Sequence, residues 1–206
     1  EFDASELGQL KVGVRKAVCI GPGFDPGAKR NRRVLADVLE QAACPVLVDG
    51  GALADLCSHD ARRALQARLW SGRATVITPH GGEAQRLADA LGITCEDAVE
   101  LASELSRVTG AVTVLKGPDM FIANGSVVYP MRDGSAALAK AGTGDVLAGM
   151  ISSLLAQGVE AFEASVLGAT LHACAGNLAA GELGVVSVTP EGLLDYLPHI
   201  IRMLVD

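Results

Sequence analysis

Short apolar, largely β-branched runs alternate along the chain with longer stretches in which apolar positions return every three or four residues. Ala17–Ile20, Pro45–Asp49, Ala74–Thr78 and Ala111–Lys116 each read as a buried strand. Ala28–Gln41, Asp60–Trp70, Gly82–Leu91 and Glu96–Val108 carry the helical period between and after them. Strand and helix alternating at this spacing predict βαβ crossovers and a parallel sheet. Met120–Ala123 and Ser126–Tyr129 then predict a hairpin with a tight primed turn at Asn124-Gly125. Helices are expected over Asp145–Gln157, Ala161–Ala180 and Pro190–Leu204. The expected architecture is α/β, with a mainly parallel sheet flanked by helices in one domain spanning residues 1–206.

Composition narrows this picture. Half of the 206 residues are hydrophobic but only 3% are aromatic, and 24 are glycine, so the core must be built from Val, Leu, Ile and Ala with close backbone approaches. The net charge of −7 argues against nucleic acid as a partner. The one basic cluster, Lys29-Arg30-Asn31-Arg32-Arg33, reads as the solvated start of a helix. Ala164–Gly181 is charge-poor but interrupted by Ser165, Thr170, His172 and Asn177, so it reads as a buried helix and not a membrane span. Five cysteines lack metal-like spacing; four lie among apolar residues and read as small buried hydrophobes. Their odd number points to a reducing, cytoplasmic setting.

The chemistry collects at strand ends. Ile20 leads into Gly21-Pro22-Gly23, Val48 into Asp49-Gly50-Gly51, Ile77 into Thr78-Pro79-His80-Gly81-Gly82-Glu83, and Leu115 into Lys116-Gly117. Open parallel sheets bind ligands beyond the carboxyl ends of their strands, so these four ends predict one shared rim. Gly142-Thr143-Gly144-Asp145, opening a helix, adds backbone N–H groups at a positive dipole end, a ready anion site. The segment is not a P-loop. Asp145 reads equally as an N-cap or as a carboxylate placed to deprotonate an attacking hydroxyl. Asp49 reads equally as a helix cap or as a polar contact, and Glu83 as a capping residue or a metal ligand. No metal-ligand set is identifiable. Lys116 can bring positive charge to phosphates and Gly117 permits close backbone approach, the competing reading being a surface turn.

These stretches together resemble a known family, the ADP/ATP-dependent NAD(P)H-hydrate dehydratases, which have a ribokinase-like fold. The resemblance is carried by GPGF (Gly21–Phe24), PVLVDGGAL (Pro45–Leu53), ITPHGGEAQRL (Ile77–Leu87), VLKGPDMFIANG (Val114–Gly125), LAKAGTGDVLAGMISSLLAQG (Leu138–Gly158) and LHACAGNLAA (Leu171–Ala180). It implies that hydrated NADH or NADPH is restored at the expense of ADP or ATP with Mg²⁺. In that reaction phosphorylation turns the ring hydroxyl into a leaving group that the ring nitrogen lone pair expels. It also implies Asp145 as catalytic base, with Gly23, His80 and Asp145 at the hydrated nucleotide. Lys116, Gly117, Pro118, Asp119, Met120, Gly142, Thr143 and Gly144 would bind the adenine nucleotide.

Three departures from the family pattern matter. Met120 stands where threonine is common, and Gly51 replaces a second carboxylate after Asp49. The chain also begins at Glu1 with few residues before its first strand, so βα units that usually precede the GPG strand are expected to be missing. The resemblance further implies a homo-oligomer, fused to or working with an NAD(P)H-hydrate epimerase. A vitamin or sugar kinase of the same fold, or a non-catalytic nucleotide-binding fragment, remains the alternative.

Overall fold

The computed structural model describes residues 16–205. Its centre is a six-stranded sheet in sequential order: β1 (Val18–Ile20), β2 (Val46–Val48), β3 (Thr75–Ile77), β4 (Val112–Leu115), β5 (Met120–Asn124) and β6 (Val127–Met131). β1 to β4 run parallel, and β5 pairs antiparallel with both β4 and β6. The helices are α1 (Lys29–Gln41), α2 (His59–Trp70), α3 (Gly81–Leu91), α4 (Ala98–Thr109), α5 (Thr143–Ala156), α6 (Ala161–Leu183) and α7 (Leu193–Val205). Short 3₁₀ segments at Gly50–Asp55 and Ala136–Leu138 complete the order. The expected α/β architecture is therefore observed, with strand and helix ends within a few residues of the expected ones. Units preceding β1 lie outside the described residues.

Alternation within the strands builds two cores. Val46, Val48 and Ile77 face Leu35, Leu39, Leu65 and Leu105 on one side of the sheet. Leu47, Val76, Val112 and Val114 face Leu147, Ile151 and Leu155 on the other. A third cluster joins Met150, Leu171, Ala175, Leu193 and Ile200, so α7 packs outside α6. Because α5 lies between the sheet and its neighbouring helices, it buries more than the single stripe its periodicity predicts. Ala148 is fully buried and Val146 only partly so.

One correction concerns local detail. The hairpin turn is Gly125-Ser126, one residue later than expected, because Asn124 pairs with Val127 in the ladder. Gly125 has φ +60° while Ser126 stays at negative φ, which suits a turn needing glycine only at its first central position. Cys44, Cys57, Cys95 and Cys174 pack against the cores as expected of small hydrophobes, though only partly buried, while Cys19 is exposed on β1; all five are free. The basic cluster does open α1, where Arg32 reaches Asp55 at 3.0 Å and Arg33 lies 3.8 Å from Asp37. Among the described residues no helix is long and apolar enough to cross a membrane.

Arg68, which the pattern of the chain does not single out, is fully buried on α2. Its guanidinium donates to the carbonyls of Ala42 (2.7 Å), Cys44 (2.8 Å) and Ala74 (2.8 Å) and to Thr75 Oγ1 (2.9 Å). It thus ties the end of α1 to the N-terminal ends of β2 and β3, opposite the rim that carries the site.

Candidate functional site

Sequential strand order brings three consecutive strand ends side by side. Asp49 follows β2, Thr78 follows β3 and Lys116 follows β4. Asp49 is 2% exposed, and its Oδ1 accepts from Thr78 Oγ1 at 2.7 Å and from Lys116 Nζ at 2.8 Å. Asp49 precedes the 3₁₀ segment without capping it through its side chain, so its carboxylate anchors the lysine instead. Lys116 is further fixed by its backbone N–H, which donates to the Pro79 carbonyl at 2.8 Å. A Cβ built on Gly144 would lie 3.3 Å from Lys116 Nζ, so the ammonium stands directly against the first turn of α5.

That first turn begins two residues earlier than expected, at Thr143. Gly142 is the N-cap, at φ +92°, and Asp145 is the third helical residue. Asp145 is exposed and its side chain makes no hydrogen bond or ion pair, so it does not cap the helix. The amides of Gly144 and Asp145 have no backbone acceptor, as expected for first-turn donors. Thr143 Oγ1 lies 2.6 Å from the Leu138 carbonyl and 2.8 Å from the Lys140 carbonyl, so this hydroxyl braces the preceding loop. Lys140 points away, its Nζ donating to the carbonyls of Val185, Val186 and Val188 at 2.7–2.8 Å. The arrangement is a positively polarised surface with one ammonium and an uncommitted carboxylate at its edge, suited to phosphate oxygens.

His80 and Glu83 form the N-terminal box of α3. His80 Nδ1 accepts from Gly82 N–H at 3.1 Å, and Glu83 Oε2 accepts from His80 N–H at 2.9 Å. Glu83 is thus a capping residue. The His80 side chain remains 56% exposed, and with Nδ1 accepting, its Nε2 carries the proton in the neutral ring. Gly51 explains its own departure from the family pattern. A Cβ there would run into the carbonyl oxygen of Phe24, so the GPGF loop packs where a side chain would stand.

A cavity of about 570 Å³ opens on this rim, within the range of small-molecule sites. Of the residues expected at the adenine nucleotide, Lys116, Gly117, Pro118, Met120, Thr143 and Gly144 line it, and His80 joins them. Asp119 and Gly142 do not line it, and neither do Gly23 and Asp145. Met131, Leu138 and Leu147 supply an apolar wall suited to a base. A smaller cavity of about 320 Å³ lies between the GPGF loop and α3, with Phe24, Gly51, Glu83 and Arg86 among its walls. Among the described residues no group of three or more His, Cys, Asp or Glu side chains converges to hold a metal ion.

Two contributors escape sequence reasoning. Thr78 ends β3 as Asp49 ends β2, and that shared position was the available signal. His172, the one imidazole in an apolar helical run, is 4% exposed and lines the larger cavity. Burial is the main cause that lowers its pKa to about 4. The Thr143 backbone opposes this from outside hydrogen-bond geometry, and Lys116 reinforces it. A folded pKa below the ordinary value of about 6.5 means that the unfolded chain binds the proton more readily between these values. This contribution to stability is present above pH 6.5 and is lost as pH falls through about 4, amounting to about 3 kcal/mol. Urea titrations from pH 7 to pH 4 should show a steeper decline for the wild type than for His172→Phe; parallel curves would remove this linkage.

A family model described as NAD(P)H-hydrate dehydratase matches residues 3–199. The chain is 37% identical over 196 residues to the bifunctional NAD(P)H-hydrate repair enzyme Nnr of Moorella thermoacetica, a match covering 91% of this chain and 34% of that protein. It is 33% identical over 192 residues to the ADP-dependent (S)-NAD(P)H-hydrate dehydratase of Xanthomonas campestris pv. campestris, covering 89% and 63% respectively. The chain thus spans between about a third and two thirds of the length of these curated relatives. The ADP/ATP-dependent NAD(P)H-hydrate dehydratase of Bacillus subtilis, co-crystallised with ATP and Mg²⁺, superposes with a TM-score of 0.73 at 29% identity, covering 97% of this chain and 69% of that one. A ribokinase-like superfamily protein from Enterococcus faecalis shares the fold, with a TM-score of 0.69 at 23% identity, covering 91% of this chain and 63% of that one.

Proposed function

Because the chain belongs to the NAD(P)H-hydrate dehydratase family, we propose that it restores hydrated NADH or NADPH at the expense of ADP or ATP. The observation that carries this reading is the Lys116 ammonium, anchored by Asp49, standing against the open first-turn amides of α5 at the mouth of a nucleotide-sized cavity. Lys116 and the amides of Gly144 and Asp145 hold the phosphates and stabilise charge on the transferring group. Gly117, Pro118 and Met120 line the nucleotide's cavity, with Asp119 and Gly142 beside it. Gly23, His80 and Asp145 face the hydrated nucleotide from the outer rim.

Asp145 takes the proton of the ring hydroxyl as its oxygen attacks the terminal phosphorus, and the shortened nucleotide leaves. The ring nitrogen lone pair then expels phosphate, and loss of a proton from the adjacent carbon restores the double bond. The donor set suits a magnesium ion carried in on the phosphates, since Mg²⁺ needs only one or two carboxylates besides them. Asp49 and Asp145 are the rim carboxylates that would hold it, Glu83 being taken up in capping α3. Bound there, the ion would neutralise charge on the phosphate oxygens.

The bifunctional relatives support a second repair activity, an epimerase of the hydrate, fused to or working beside this one. Exposed Leu194, Ile201 and Met203 support assembly into a homo-oligomer, and the enzyme is read as cytoplasmic with no nucleic-acid or membrane partner. The full-length protein, given hydrated NADPH, should regenerate the reduced-nicotinamide absorbance only with ADP or ATP and Mg²⁺ present. No recovery under those conditions would sink the proposal, and a stable phosphorylated product would point to a kinase instead.

A further inference from the structure

Buried side-chain nitrogens in native proteins almost always have a partner, and one left without it calls for a reason. Both ring nitrogens of His172 are buried and without a hydrogen bond. Among the described residues, no other buried side chain left unpartnered in this way lines the larger cavity. Its neighbours on α6, Ala169 and Ala173, are small and line the same wall. Lys116 and the Thr143 backbone both lie near enough to act on the ring, and Lys116, Thr143, Gly144 and His172 line the same cavity.

We propose that His172 is a further nucleotide-contacting residue, whose ring N–H donates to a phosphate oxygen of the adenine nucleotide held by Lys116 and the α5 amides. This rests on the nucleotide reading given above. The ring is neutral at physiological pH, so it offers one donor without adding a second buried cation beside Lys116. No protein group meets hydrogen-bond geometry at either ring nitrogen, the Thr143 backbone acting on the ring from outside it. The site is thus assembled from four places: the end of β4, the first turn of α5, the rim at His80 and the interior face of α6.

The test uses the wild-type chain, His172→Phe and His172→Gln, titrated calorimetrically at pH 7.5 with MgADP and separately with adenosine. His172→Phe should weaken ADP about tenfold and leave adenosine unchanged, while His172→Gln, which retains a donor, recovers part of the loss. Imidazole ¹⁵N resonances of His172 in the wild type should move with ADP and stay still with adenosine, a readout available even if a variant folds poorly. Equal ADP affinity in His172→Phe, together with unmoved ring resonances, overturns the assignment. An equal loss for adenosine and ADP also overturns it, since it places the contact at the nucleoside. If the wild type binds neither ADP nor ATP, the nucleotide reading of the whole site fails, and this assignment with it.

Discussion

An Asp145→Asn variant should bind ADP, titrated without magnesium, like the wild type and lose turnover by about 10²–10⁴-fold, the usual contribution of a positioned general base. The position makes this a clean test. Asp145 is exposed, stands third in α5 and caps nothing, so the amide disturbs no buried network. Its interaction with the helix dipole is worth only about 0.3–1 kcal/mol, so the unfolding midpoint should barely change. The helix start, Lys116 and the cavity remain intact in the variant. Loss of turnover with retained ADP binding would therefore report chemistry and not a collapsed cradle. Single-turnover recovery of the reduced-nicotinamide absorbance measures it, and unaltered turnover would remove Asp145 from the base role.

Arg68→Met is expected to lower the unfolding free energy by about 3–5 kcal/mol in urea titrations. Arg68 has no carboxylate partner among the described residues; neutral carbonyls and the Thr75 hydroxyl compensate its charge. Burial lowers its pKa to about 10, aided by Arg73, so it remains charged at pH 7. Methionine fills part of the volume but withdraws the donors from α1, β2 and β3 together, leaving buried acceptors without them. Because these contacts lie at the N-terminal ends of the strands and the site at the other ends, ADP affinity of the folded protein should hold. A loss below 1 kcal/mol would mean that water or neighbouring groups replace the guanidinium.

These two residues also mark how far the chain could be read without its fold. Asp145 was legible because its setting is local: glycines, a carboxylate and an apolar helical period within one short segment. Even there the sequence left an N-cap and a base evenly matched, and the N-cap reading is excluded by the helix starting at Thr143. Arg68 was illegible because its partners come from residues 6 to 29 positions away on other elements. An arginine in an amphipathic helix looks like a solvated one until those elements surround it. The turn at Gly125-Ser126 was misplaced by one residue because strand pairing, not the Asn-Gly dipeptide, set the register.

The sequence by itself determined the alternation of strands and helices, the glycine-rich rim and the family resemblance, because periodicity and motif spacing are short-range properties. Only the tertiary structure decided that Asp49 holds Lys116 while Thr78 bonds the same carboxylate oxygen, and that Gly51 leaves room for the GPGF loop. It also decided that His172 faces the cavity with neither nitrogen engaged. The physical reason is the same in each case. A charge or a ring acquires its role from the groups that remove its water, and those groups are brought together by sheet order and helix packing.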